Sequence, residues 1–364
     1  MKVNFLEFNS FRNLVDNRIT PVDGINIIFG DNAQGKTNLL EGIWLFSGGH
    51  SFRGSKEQEL TKIGEKKSSL TMGFNSQGRD QEAKITFFGN KKEVELNSVK
   101  KPSSAYLSER FCAVVFSPEH LSLVKGGPTL RRKFLDGAIC QQDIKFAVLL
   151  SKYNRTVFQR NTLLKEINRH PELKETLCIW DDSLILLASQ IIYRRLLYIK
   201  KLSDCAKMFH KGISKGNEEL EIEYLSTAGI TFEDDIPSIT EKLQNAFEKS
   251  RRGDIFTGCT NVGPHRDDLE FYLNGMKAKN FGSQGQQRSI VLSLKLSEAQ
   301  ILKDFFEESP VVLLDDVLSE IDRGRQEYLL TNTEGCQTFI TGCEAPVIKS
   351  GNTKIFTVEK GEIR

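Results

Sequence analysis

Apolar and polar positions alternate over residues 1–12, where Val3, Phe5, Leu6 and Phe8 mark a strand and no continuous apolar run of the secretory-leader kind occurs. A second strand is expected over 24–29. Residues 85–88 turn at Gly89-Asn90 into 94–96 as a hairpin. After Lys125-Gly126-Gly127-Pro128 the period lengthens: Phe134, Phe146, Leu149, Tyr153, Val157 and Leu164 recur mostly at helical spacing as far as about His170. His170-Pro171 interrupts this run. Beyond it Leu184, Ala188, Ile191, Tyr198, Leu202, Cys205 and Phe209 step by three, four or seven residues, so two antiparallel helices forming an arm are expected. Lys211-Gly212 through Gly216-Asn217 ends the second helix, 220–225 alternates like a strand, 240–252 reads as one more amphipathic helix, and from Cys259 strands and helices alternate again. The pattern predicts an α/β head in two parts, a strand-rich 1–125 and a C-terminal 251–364, separated by a mainly helical arm domain over 126–250.

Composition adds boundaries more than detail. Hydrophobic residues at 39% and charged residues at 27% are those of a soluble globular chain. The longest apolar stretch, 184–192, is broken by Ser189 and Gln190 and followed by Arg194 and Arg195, short of the ~20 residues that span a bilayer, so no membrane segment is expected. Seven cysteines show neither Cys-x-x-Cys pairs nor metal-ligand spacing and read as free thiols of a reducing cytoplasm. A net charge of +2 does not announce nucleic-acid binding, so a DNA contact would rest on a local patch. The arm offers Lys152, Arg155, Arg160, Arg194, Arg195, Lys200 and Lys201, although charges at helical spacing are most often a solvated face, and Tyr153, Phe158, Tyr193 and Tyr198 read as core.

The chemistry lies in the two outer parts. Gly30-Asp31-Asn32-Ala33-Gln34-Gly35-Lys36-Thr37 follows an apolar strand and opens a helical run, the context a phosphate-cradling P-loop requires. Its glycines let successive N–H groups point at a phosphate, Lys36 neutralises β/γ charge, and the Thr37 hydroxyl can ligate Mg²⁺ beside ATP. Residues 311–314 form a short apolar strand ending in Asp315 and Asp316: Asp315 suits the metal side, and Asp316 suits orienting or deprotonating the attacking water. Gly282-Ser283-Gln284-Gly285-Gln286-Gln287-Arg288 precedes a long helical run, so Ser283 and Gly285 can face an anion at a helix start. That segment resembles the signature of ABC-type ATPases, with Ser283, Gly285 and Gln286 matching and Gln284 in place of a glycine; the resemblance implies contact with the γ-phosphate held by a partner subunit, and 318–322 resembles the D-loop of the same superfamily. Transporter members carry a histidine after the threonine of the strand that ends here at Thr341; this chain has Gly342.

The branch of that superfamily is indicated by further segments. Phe8-Asn9-Ser10-Phe11-Arg12-Asn13 resembles the turn in SMC, Rad50 and RecF heads whose basic and amide side chains, here Arg12 and Asn13, approach the nucleotide. Gly263-Pro264-His265-Arg266-Asp267-Asp268 alone would read as a turn and a solvated pair, yet it resembles a segment of the RecF family closely. Val115-Phe116-Ser117-Pro118-Glu119, Lys125-Gly126-Gly127-Pro128 with Arg131-Arg132, and 314–320 agree with the same family, where Asp-Asp without the histidine is the expected ending. The resemblance implies a P-loop ABC-type ATPase head, an ATP-dependent homodimer, slow DNA-stimulated hydrolysis used as a timer, and binding to gapped DNA at single-strand to double-strand junctions. It also implies RecO and RecR as partners in loading RecA during repair, replication restart and the SOS response.

Overall fold

The computed structural model describes residues 1–167, 169–343 and 352–364. Three sheets organise it. The first is antiparallel, in the order β2 (Asn17–Ile19), β1 (Lys2–Asn9), β4 (Ser68–Ser76), β5 (Arg79–Phe88), β6 (Lys91–Leu96) and β7 (Val99–Lys101). The β5–β6 hairpin turns at Gly89-Asn90 as expected. In β1 the alternation of the sequence slips because the register shifts between Val3 and Phe5; this bulge lets Val3 and Leu6, three residues apart, both be buried.

The second sheet carries the chemistry. Its order is β15 (Glu362–Ile363), β14 (Thr353–Glu359), β3 (Ile25–Phe29), β13 (Thr338–Gly342), β12 (Val311–Leu314) and β8 (Ala113–Phe116), all parallel except β15. The fully buried β12 and β8 are continuous apolar runs, as strands covered on both faces must be. The third sheet, β11 (Met276–Lys277), β10 (Asp268–Leu273) and β9 (Leu220–Leu225), is antiparallel. It joins a strand from the helical stretch of the sequence to one from beyond residue 251, so the alternation after Cys259 begins beside the arm and not in the head sheet.

The helices are α1 (Lys36–Trp44), α2 (Pro128–Gln142), α3 (Ile144–Ile167), α4 (Leu177–Ile213), α5 (Ile236–Thr257), the short α6 (Ala278–Phe281), α7 (Gln284–Phe306) and α8 (Arg323–Asn332). The helical run after residue 128 is two helices because Asp143 is extended at φ −137°, with its Oδ1 accepting from the Phe146 N–H (3.1 Å) to start α3. α4 packs along α3, α5 and α7. With the turn before it, Pro171–Ile213 is long and apolar enough to cross a bilayer by length and composition, a longer span than 184–192 suggested, and 44% of its apolar 18-residue window is buried within the fold.

Two large hydrophobic cores meet at α7. Leu292, Leu296 and Leu302 belong to the core beneath the two head sheets, while Ile290, Val291, Leu294 and Ile301 belong to the core of α2–α5 and the third sheet. From Ser289 to Glu298 every residue of α7 is buried, polar ones included, and the helix is the shared wall between head and arm.

Candidate nucleotide site

Loop 30–37 connects the end of β3 to α1. Gly35 has φ +119°, and a Cβ there would lie 2.8 Å from Leu14 Cδ2 and 2.9 Å from Asn13 Oδ1; a Cβ on Gly30, at φ +156°, would lie 2.3 Å from the Val358 carbonyl oxygen. Only glycine fits either place. The buried Lys36 ammonium donates to the carbonyls of Gly30 (2.5 Å) and Asp31 (3.1 Å), so it folds back across the mouth of the loop, with Cys343 Sγ at 3.8 Å. The Cys343 thiol lies 3.1 Å from Asn32 Oδ1. The Asn13 amide donates to the carbonyls of Ala33 (3.4 Å) and Gln34 (3.3 Å) and accepts from Asn38 (2.7 Å), while the Gln34 side chain accepts from the Lys360 N–H in the β14–β15 turn. Segments far apart in sequence thus fix one curled loop at a helix N-terminus.

The carboxylates of the β12 end stand beside it. Thr37 Oγ1 and Thr341 Oγ1 both donate to Asp315 Oδ1, at 2.8 and 2.9 Å. Burial pushes the Asp315 carboxyl above its ordinary value, and the bonds from Thr37 and Thr341 oppose that push. Asp316 takes the left-handed conformation at φ 51°, and its N–H donates to Thr341 Oγ1 (2.9 Å). A hydroxyl and a carboxylate that converge next to a phosphate cradle form a hard-oxygen donor set, which fits Mg²⁺.

At the start of α7, Ser283 Oγ accepts from the Gln286 N–H (3.2 Å) and Gln286 Oε1 accepts from the Ser283 N–H (2.8 Å), a reciprocal cap. Arg325 Nη2 would stand 3.3 Å from a Cβ on Gly285. Among the described residues no hydrogen bond joins Ser283, Gly285 or Gln286 to loop 30–37 of the same chain. Ser283 is exposed.

Other expectations come out differently. Arg12 does not turn toward the loop: its Nε and Nη2 grip the buried Glu41 of α1 at 2.9 and 3.0 Å, and Nη2 also donates to Ser55 Oγ, which leaves Asn13 as the member of that pair at the loop. Arg160 and Arg195 are unavailable to DNA. The first is fully buried between Asp181 and Asp254, and the second is buried against Asp136 and the Pro264 carbonyl. Arg194 is half-buried on Asp143, whereas Lys152, Arg155, Lys200 and Lys201 are exposed. Of the four arm aromatics, Tyr153 and Tyr198 are core, Tyr193 is half-buried, and Phe158 is 73% exposed, contrary to its reading as core.

Segment 263–268 is a clamp. Asp268 takes Arg131 in a two-point pair (2.8 and 2.7 Å), the Asp267 carbonyl accepts from Arg132, and the Asp267 carboxylate accepts from Tyr224 (2.6 Å) and Thr227. His265 Nδ1 accepts from the Tyr153 hydroxyl (2.6 Å) while Nε2–H donates to the Thr260 carbonyl (3.0 Å). Sequence reading missed Thr341 as a site residue, Glu41 as the holder of Arg12, and Arg53, which donates to Asn38 Oδ1 (3.0 Å) and whose charge draws the Asp315 carboxyl down. A threonine ending a β-strand beside a P-loop was the available signal for Thr341. The other two carry none.

Known proteins bear on this geometry. A family described as AAA domain matches residues 2–251. The DNA replication and repair protein RecF of Clostridium acetobutylicum is 38% identical over 367 residues, spanning 100% of this chain and 99% of that protein. The chain belongs to the RecF family. RecF of Caldanaerobacter subterraneus subsp. tengcongensis is 41% identical over 92% of each chain. A structure of the recombination mediator RecF-ATPrS in the RecFOR pathway superposes with a TM-score of 0.93 at 37% identity, covering 99% of this chain and 97% of that one. A Pyrococcus furiosus Smc head shares the fold alone, at a TM-score of 0.55 and 16% identity. The architecture is accordingly that of a RecF-type, ABC-like ATPase head with a strand-rich lobe and an inserted, mainly helical arm.

Proposed function

We propose that the chain binds ATP with Mg²⁺ at loop 30–37, closes on a second copy of itself around that ATP, and in the closed form binds gapped DNA at single-strand to double-strand junctions. The observation that carries this reading is a loop shaped by Gly30 and Gly35 beside a Thr37–Asp315 pair, while the Ser283 turn is exposed and unattached to it. The relatives described as RecF-ATP and RecF-ATPrS in the RecFOR pathway support it.

In this mechanism the N–H groups of loop 30–37 and the start of α1 hold the phosphates, Lys36 exchanges its carbonyl partners for β/γ oxygens, and Asn13 keeps the loop curled. Thr37 and Asp315 would hold Mg²⁺, which neutralises phosphate charge. Asp316 orients the attacking water and takes its proton. Ser283, Gly285 and Gln286 of the second copy complete the γ-phosphate contact. Hydrolysis is slow and reopens the dimer, with DNA stimulating it. The catalytic head comprises 1–125 and 251–364, and the arm over 126–250 contributes Lys152, Arg155, Lys200 and Lys201 to backbone phosphates, so DNA affinity falls steeply with salt. In the cytoplasm RecO and RecR then act with it to load RecA.

Sedimentation with ATP, with and without gapped DNA, tests the core of this reading. Wild type should dimerise only with ATP, while Lys36→Arg and Ser283→Arg stay monomeric, the latter with ATP still bound. A Ser283→Arg protein that dimerises like wild type, or a wild type that stays monomeric, would overturn it.

A further inference from the structure

The Ser283 turn is held from two sides. On one side Arg325 donates from Nε to Ser289 Oγ (2.9 Å), anchoring the turn to the start of α8 in the head. On the other, the Gln286 side chain reaches out of the turn: its Nε2 donates to Glu218 Oε1 at 2.9 Å. Glu218 lies in the turn between α4 and β9, and its second oxygen, Oε2, is 2.9 Å from His210 Nε2. His210, fully buried near the end of α4, places Nδ1 3.3 Å from Ser293 Oγ of α7. The last turn of α4 sits hard on the head, since a Cβ on Gly212 would stand 2.2 Å from the Tyr328 hydroxyl of α8.

A primary amide has one acceptor oxygen and one donor nitrogen. Gln286 must present Oε1 to the Ser283 N–H to close the cap, so Nε2 must face Glu218. With the amide reversed, two donors would meet at Ser283 and an oxygen would meet the carboxylate. The carboxylate therefore selects the amide orientation that shapes the turn, and His210 orients the carboxylate. Through this path the end of a 37-residue arm helix is joined to the turn by side-chain hydrogen bonds.

We propose that Glu218, oriented by His210, is a positioning residue for the Ser283 turn, linking arm helix α4 to the surface that receives the second copy's nucleotide. The inference rests on the trans-site reading above. The test measures ATP binding by the monomer and ATP-dependent dimerisation of the full chain. Glu218→Ala should leave ATP binding within about twofold and weaken dimerisation about tenfold, the scale of a lost charge-assisted hydrogen bond. Glu218→Lys should weaken it at least as much, because it offers only donors to the Gln286 Nε2 that now donates to the carboxylate. Glu218→Gln keeps an acceptor oxygen for that nitrogen and should stay within about threefold of wild type. A merely structural role does not produce that order. Wild-type-like dimerisation by Glu218→Ala, or a Glu218→Gln variant as weak as Glu218→Ala, overturns the proposal while leaving the trans site standing. A wild type that never dimerises with ATP removes the trans site first, and this link with it.

Discussion

Asp316 holds φ 51°, a conformation that Asp and Asn tolerate better than other side chains, and its N–H is tied to Thr341. Asp316→Asn therefore keeps the backbone and removes the charge. Phosphate release should fall about 10²-fold with ATP affinity unchanged, and equal loss of both would show the residue to be structural. Cys343 is exposed and lies within reach of Lys36 and Asn32. With Cys178, the other exposed cysteine, replaced by serine, alkylation of Cys343 should be slowed at saturating ATP, as read by mass spectrometry of the labelled peptide. His265 shows the pH side of burial. Desolvation, aided by Arg266, Arg132 and Arg195 and opposed by the Thr260 bond, lowers it from 6.5 to about 4. The unfolded chain therefore binds a proton that the folded one refuses between those values, so this contribution to stability is full above pH 6.5 and is lost as pH falls toward 4. His265→Gln can keep the bonds to Tyr153 and Thr260 without titrating. The stability of wild type relative to that variant should fall by up to about 3 kcal/mol from pH 7 to pH 4 in denaturant melts.

At the scale of elements, α4 carries Gly212 one residue before its end, where helix preference alone favours alanine by about 1 kcal/mol. Gly212→Ala must push Tyr328 or α4 aside, because its Cβ falls 2.2 Å from the hydroxyl. Overpacking costs about 1–3 kcal/mol, so the melting temperature should drop despite the better helix former. A rise would place the helix end elsewhere. What was legible in the chain follows the same division between local and distant causes. The P-loop, the β5–β6 hairpin and the capped start of α7 were visible because their geometry is set by glycine, turn and capping residues within a few positions. The pairing of β9 with β10 was not, since a strand's partner is chosen by packing some fifty residues away. The burial of Arg160 and Arg195 was equally hidden: on helical spacing they look like solvated charges, and their partners Asp181, Asp254 and Asp136 lie on other helices. Arg12 was misplaced for the same reason, its Glu41 standing 29 positions away.

For the whole molecule, α7 makes head and arm share side chains in both cores, so the two parts should unfold together. Scanning calorimetry should show one transition, and two resolved peaks would mean the arm keeps its own core. The second sheet has a further consequence. The strand that leads into the phosphate cradle lies between partners contributed by residues 338–342 and 353–359. At about 5–20 residues per second on the ribosome, that strand waits roughly 15–60 s for its neighbours to be translated. A half-made chain consequently lacks the flanking strands that hold the cradle in place, and newly synthesised molecules complete it only once their distal strands have emerged.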